Sequence, residues 1–550
     1  MRSDFLVTHN SQLITHNYSL LLINYSLLMK RRDFIYTASS FLLPALVDGM
    51  GAKAFSKPNS PFMAALMEVA DKTDNVLVVI QLSGGNDSLN MVIPLDQMST
   101  YNSLRANIAL PETKVLKLKG FDATGLHPSM TGLQGLFNEG KVSIVQAVSY
   151  PNPSFSHSRG TDIWSTSVDS NQLATSGWIG RYMEDRFKGY PDGYPNTQMP
   201  DPLAIQIGYI SSTALLGENR SVSIAIPDPD TFAKLVGDKP NTIPGGTTNT
   251  PAGKYIEFIR QQQVSSVQYA GQIKTAAAKA VNLVTYPTGN GLADQLKIVA
   301  RLIGGGLQTK VYYVTLGGFD THSAQTSATD TTTGSHANLM KNLSEAITSF
   351  QNDIKLMGKD DRVVGMTFSE FGRRAISNGS VGTDHGWAAA QFVFGNAVKQ
   401  QMIGKNPNLS DLDNSNLKMQ NDFRTVYSAI LEDFFGASQT SETTTLLKDF
   451  VPAPIFRQSA ITATEPNFAS DFNIYPNPAS DEVILNSEAF TRGMEGLQVT
   501  DLQGREMNLT KEQIASNQVR MNVSNLNTGR YIVRMPTSQE PITAVLMVAR

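Results

Sequence analysis

There is no cysteine among the 550 residues of the chain. That excludes disulfides, thiolate zinc sites and a cysteine nucleophile, although it assigns no compartment. Neither sign of charge is in excess: 45 Lys and Arg stand against 48 Asp and Glu, with no dense basic run beyond the N-terminus. A nucleic-acid footprint is not indicated. Gly-x-Ser-x-Gly, the elbow of serine hydrolases, is missing, which weakens a metal-free serine mechanism. Histidine is scarce. Of seven in the chain, only His127, His157, His322, His336 and His385 lie beyond residue 28.

The N-terminal residues 1–28 carry few charges and no helix caps, and read as an upstream extension ahead of the true start at Met29. Lys30-Arg31-Arg32-Asp33-Phe34-Ile35 then opens an apolar stretch that ends in small residues, so 29–54 has the three regions of an export signal. The paired arginines resemble a twin-arginine signal. Its apolar run is too short for a comfortable membrane span.

From Asn75 the pattern becomes NVLVVIQL, a continuous apolar run suited to a strand covered on both faces. Lys141–Val148 is a second such run, and VYYVTLG and RVVGMTF are two more. Between the last two, Leu339, Leu343, Ile347, Phe350, Ile354 and Met357 step by three or four residues, one apolar helix face closed by Gly358. Strand, helix, strand predicts an α/β fold with a mostly parallel sheet sandwiched by helices, over 72–457. LAIQIG reads as a further strand, Pro240–Gly253 as a loop, and two long helices follow it. A polar linker at 458–470 leads to short alternating runs with Asn/Gly turns over 471–550, the pattern of a small β-sandwich.

Acidic groups and imidazoles recur where the apolar strands stop, the rim at which open α/β sheets present ligands. Asp87 follows the first strand, and Ser156, His157 and Arg159 follow the second. Asp320 and His322, then Glu370, then Asp384 and His385 follow the later ones. Asp/His sets suit zinc, manganese or iron, and all-oxygen sets suit calcium or magnesium. Asp320 and His322, two apart, point the same way from an extended strand end. Ser156 is the first choice of nucleophile and Ser158 the reserve, with helix capping the plainer reading of each. Arg159, Arg373 and Arg374 have the donor geometry to clamp an oxyanion. His127 and His336 are taken as structural.

GGNDSLN, SYPNPSFSHSRGTDIW, SGWIGRY, GGFDTH, FSEFGRR, NGSVGTDHGWA and NDFRTVYSAILEDFFG, in that order, resemble the domain-of-unknown-function 1501 family of exported bacterial proteins over roughly residues 75–440. That family is grouped with the alkaline-phosphatase-like superfamily of phosphatases, sulfatases and metal-dependent phosphomutases. The resemblance implies a two-metal site and a strand-end nucleophile. Asp87 resembles the first-strand carboxylate ligand, Ser156 falls in the nucleophile region, and Asp320 with His322 resembles the Asp/His pair of one metal. The superfamily's Ser-Asp-His-Gly is replaced by Ser369-Glu370-Phe371-Gly372. Either Asp384-His385 is the displaced pair, or Glu370 replaces the aspartate and His385 stands for a later lone histidine. The formylglycine type of sulfatase is disfavoured, because Ser149-Tyr150-Pro151-Asn152-Pro153 lacks its arginine.

YPNP followed by short strands and a basic end resembles the type A sorting domain of type IX secretion. The implied protein is a secreted or surface-attached hydrolase of phosphate or sulfate esters, using divalent ions and partnered by the export and type IX machinery. The competing expectation is a surface-displayed binding or structural protein whose altered site does no chemistry.

Overall fold

The strand Val76–Ser83 (β1) shows why the chain folds in layers. Val76, Val78, Ile80 and Leu82 enter one apolar cluster, while Leu77 and Val79 enter another. Side chains of a strand alternate between faces, so a run apolar at every position must be covered on both sides. The computed structural model describes residues 74–218, 220–236, 250–457, 473–487, 490–491, 493–501, 505–535 and 542–549. The extension 1–28, the export signal 29–54 and the linker 458–470 lie outside these residues.

Val142–Ser149 (β2), Ala204–Ile207 (β3), Ser223–Ile226 (β4), Val311–Gly317 (β5) and Val363–Phe368 (β6) join β1 in a mixed, mostly parallel sheet. Gly372–Ser377 (β7) and Thr383–Gly386 (β8) form a separate antiparallel ribbon, after which Ala389–Gly395 (β9) returns to the main sheet. With Gln401–Ile403 (β10), the sheet runs β10-β2-β9-β6-β1-β5-β3-β4, and Asn421–Asp422 pairs with β2. Only β9 is antiparallel to its neighbours along this path. β1 lies between β5 and β6, and all three run the same way. Their carboxyl ends therefore open onto one rim.

Helices cover both faces. Ser335–Leu356 connects β5 to β6 and buries Met340, Leu343, Ile347, Phe350 and Ile354. Leu339 and Met357, at the edges of the predicted stripe, are partly buried, and Gly358 ends the helix at φ 65°. Gly291–Gly304 packs beside it. On the opposite face Trp164 stacks on Phe423 at 4.4 Å, and Trp178 on Tyr427 at 4.2 Å. The loop predicted over Pro240–Gly253 ends earlier than expected. Thr250 caps a helix over Pro251–Lys279, accepting from Gly253 N at 3.1 Å. Proline at the first helical position suits an N–H that has no partner to lose.

Chain contacts separate residues up to Phe456 from those after it. The second unit pairs two small antiparallel sheets around Val483, Leu485, Val499, Val519, Met521, Val533 and Leu546. Alternation along each strand sends these residues inward.

Glu442, in the helix Gln439–Leu446, is buried and its Oε1 has no hydrogen-bond partner. Burial, then a hydrogen bond with the Glu432 carboxyl, pushes its pKa up from 4.5 to about 8. The folded chain therefore holds a proton that the unfolded chain releases above pH 4.5. The stabilisation is complete below that pH and is lost as pH rises toward 8. Glu442→Gln removes this dependence. In urea melts its advantage over wild type should be small near pH 4 and grow steadily as pH rises toward 8.

Candidate metal centre

Three turns at the carboxyl rim bring the chemistry together. β1 ends in Gly84-Gly85, at φ 126° and 76°. A Cβ on Gly84 would lie 2.3 Å from Asp320 N, and one on Gly85 would lie 2.2 Å from the Phe371 ring. Only glycine permits both the left-handed turn and this approach. β5 runs on into Phe319-Asp320, and β6 into Ser369-Glu370-Phe371. The helix His157–Thr166 presses against the last of these, because a Cβ on Gly160 would lie 2.8 Å from Glu370 O.

Asp320 is the centre of the arrangement. Its Oδ1 accepts from Arg373 at 2.5 Å and lies 3.2 Å from His322 Nε2 and 3.3 Å from His385 Nε2. Its Oδ2 lies 3.6 Å from His157 Nε2. Each imidazole is held from behind through its other nitrogen. His157 Nδ1 donates to Glu370 Oε1 at 2.8 Å, and His385 Nδ1 to Phe155 O at 2.8 Å. His322 Nδ1 faces Asp384 Oδ1 at 3.5 Å. A carboxylate or carbonyl behind Nδ1 fixes the proton there, so Nε2 offers its lone pair inward. His322 Nε2 and His385 Nε2 are only 2.9 Å apart. Two lone pairs at that distance repel unless a cation or a proton lies between them.

The outer partners are themselves fixed. Glu370 is buried, and its Oε1 also accepts from Gly84 N at 2.8 Å. Asn378 donates to Asp384 Oδ1 at 3.1 Å and to His322 O at 2.9 Å. Burial raises the Asp320 carboxyl, but the hydrogen bond and charge of Arg373 outweigh it and hold the group below its ordinary value. The Asn378 hydrogen bond chiefly does the same for Asp384. Burial lowers His385 and favours the neutral imidazole that a ligand must be. Phe371 packs on the rings of His385 and His157 at 4.4 and 4.9 Å. His157, Asp320 and His385 present ligand atoms within 4.8 Å of one another, and His322 touches two of the three. Asp320 and His322 remain about half exposed, which leaves an open face of the kind catalytic ions use.

Other predicted site residues fall elsewhere. Asp87 is buried and its Oδ2 accepts from Arg105 and Gln325, so it is an ion-pair partner outside the imidazole set. Glu370 and Asp384 do not compete for one ligand position. Both stand behind imidazoles. Arg159 clamps no oxyanion: its guanidinium is taken up by Asp162 and the carbonyls of Asp169, Ser170 and Gln172. Arg373 is equally committed, to Asp320 and to backbone carbonyls. Ser156 caps its helix through a weak 3.4 Å contact from Arg159 N and stays exposed beside His157. His127 and His336 are buried away from the open face, and burial pushes them down to about 3 and about 4.

Two segments of the chain match known sequence families. Residues 264–433 match the family described as protein of unknown function (DUF1501). The chain carries a DUF1501 segment. Residues 473–549 match the secretion system C-terminal sorting domain, and the protein is exported, for secretion or attachment at the cell surface. No curated protein matches it. Among solved structures it is similar to a protein of the alkaline phosphatase superfamily from Vibrio parahaemolyticus, at 10% identity and TM-score 0.30, covering 86% of this chain and 82% of that one. A Bacteroides thetaiotaomicron protein described under metabolism of multiple glycosaminoglycans gives 10% and 0.30, covering 86% and 90%. Alkaline phosphatase from the Antarctic bacterium TAB5 gives 10% and 0.24, covering 60% and 95%. At these scores no chemistry is transferred from them.

Asp384→Ala, at the surface, should weaken zinc or manganese binding roughly 10–100-fold by removing the group behind His322. Its effect on stability should stay below about 1 kcal/mol. Competition with a chelating dye, alongside thermal melts, measures both.

Proposed function

We propose that the protein is an exported hydrolase of phosphate or sulfate esters, with a reaction centre organised by a divalent ion on His157, Asp320, His322 and His385. The observation that carries this reading is the inward convergence of three imidazole Nε2 atoms on one carboxylate, each Nδ1 tied outward. Three nitrogens and an oxygen suit zinc, manganese or iron better than calcium or magnesium. When bound, such an ion supplies Lewis acidity to an ester oxygen.

The chain's own residues do the remaining work. Arg373 keeps Asp320 ionised and aimed. Glu370, Asp384 and the Phe155 carbonyl hold the imidazoles in one tautomer. The exposed Ser156 hydroxyl, one residue before His157, is the nucleophile, delivered from the amino end of a helix whose free N–H groups favour an anion. Glu370 in place of the superfamily's aspartate is compatible with an active site, since its role is to orient His157.

Protein purified without chelator should carry metal and hydrolyse members of a panel of aryl phosphates and sulfates. Asp320→Ala should lose both metal and turnover. Ser156→Ala should keep the metal and lose roughly 1,000-fold or more in turnover. Undiminished ester hydrolysis by Asp320→Ala would remove the reading.

A further inference from the structure

The resemblance implies two ions, but the residues at the rim fit one. We propose that the centre is mononuclear, and that two buried guanidiniums, Arg105 on Asp87 and Arg373 on Asp320, stand where a second cation would otherwise be needed. This rests on the metal reading above and goes further than it.

Asp87 is the carboxylate a second ion would require. Arg105, on the short helix Met98–Leu104's carboxyl side, is fully buried against it. The same guanidinium is fixed by Asn90 Oδ1 at 3.2 Å, Arg374 O at 3.2 Å and Ala375 O at 3.0 Å. An ion reaching the remaining oxygen of Asp87 would sit against a buried guanidinium whose charge that carboxylate already neutralises, leaving one positive charge there uncompensated. Arg373 is as firmly placed. Its side chain is fully buried, with carbonyl oxygens of Gly84, Gly85, Phe319 and Thr383 around it.

Charge leads to the same count. Of four carboxylates in direct contact at the rim, Asp87 and Asp320 each pair with a guanidinium, while Glu370 and Asp384 stand against imidazoles. With neutral imidazoles, two negative charges remain, which one divalent ion balances. A second would leave two positive charges uncompensated. Asp87 Oδ1 is buried and unpartnered, which makes Asp87 the residue to test.

The full chain, stripped and reloaded with manganese or zinc, is desalted and its metal counted by mass spectrometry. One ion per chain is expected in wild type and in Asp87→Asn, and none in His385→Ala. Electron paramagnetic resonance of the manganese form should show an isolated ion, a measurement that does not depend on whether Asp87→Asn folds. Two ions per chain, an exchange-coupled manganese spectrum, or loss of metal in folded Asp87→Asn with retention in His385→Ala would overturn the mononuclear centre while leaving a metal site in place. Wild type that binds no metal would remove both this inference and the metal reading.

Discussion

The Arg373 guanidinium is the constraint on which the site depends. It joins the end of β1, through Gly84 and Gly85, to the end of β5, through Phe319 and Asp320, and to β8, through Thr383. Backbone carbonyls at strand ends need donors, and a buried guanidinium needs acceptors. Each requirement meets the other, with the Asp320 carboxylate providing the counter-charge. A planar five-donor fork can satisfy so many acceptors at once, whereas a lysine ammonium has three donors on a flexible stem. Asp320 is thereby fixed relative to the sheet before any ligand arrives, and the imidazoles are arranged around it.

The layers of the fold were legible because their signal is local. Strands covered on both faces read as uninterrupted apolar runs, and the helix between β5 and β6 shows its face through spacing alone. The short strand Lys511–Ala515 of the second unit was not recognised, since none of its residues is fully buried and it carries no apolar alternation. The boundary of the Pro251 helix was missed for a different reason. A proline-glycine-threonine stretch looks like loop until the threonine is recognised as a cap and the proline as the first helical residue.

At the site, scarcity made the histidines readable: three of the five beyond residue 28 sit just past apolar strands. Their division of labour was not readable. Whether a carboxylate lies among the Nε2 atoms or stands behind an imidazole depends on a few ångströms, and Asp384 and Glu370 differ from Asp320 only by where their neighbours point. Arg159 was misjudged through its nearness in sequence to His157. Two residues along a helix amount to about 200° of rotation, enough to send one side chain to the rim and the other toward the loop beyond. Arg373 had no signature as a positioning group because most of its partners are carbonyls, which every residue possesses.

The surroundings of the imidazoles also account for the Gly-Gly turn and the Phe371 that follows Glu370. Phe371 packs on two of the rings, and Gly85 leaves the space its own ring occupies. An apolar wall on one side lowers the local dielectric and strengthens the Nδ1 hydrogen bonds to Glu370 and Phe155 O. Solvent reaches the other side, where Asp320 and His322 are half exposed. Rigidity is thus concentrated behind the rings, where Phe371 and the partners of each Nδ1 pack, and access in front of them, where Asp320 and His322 meet solvent.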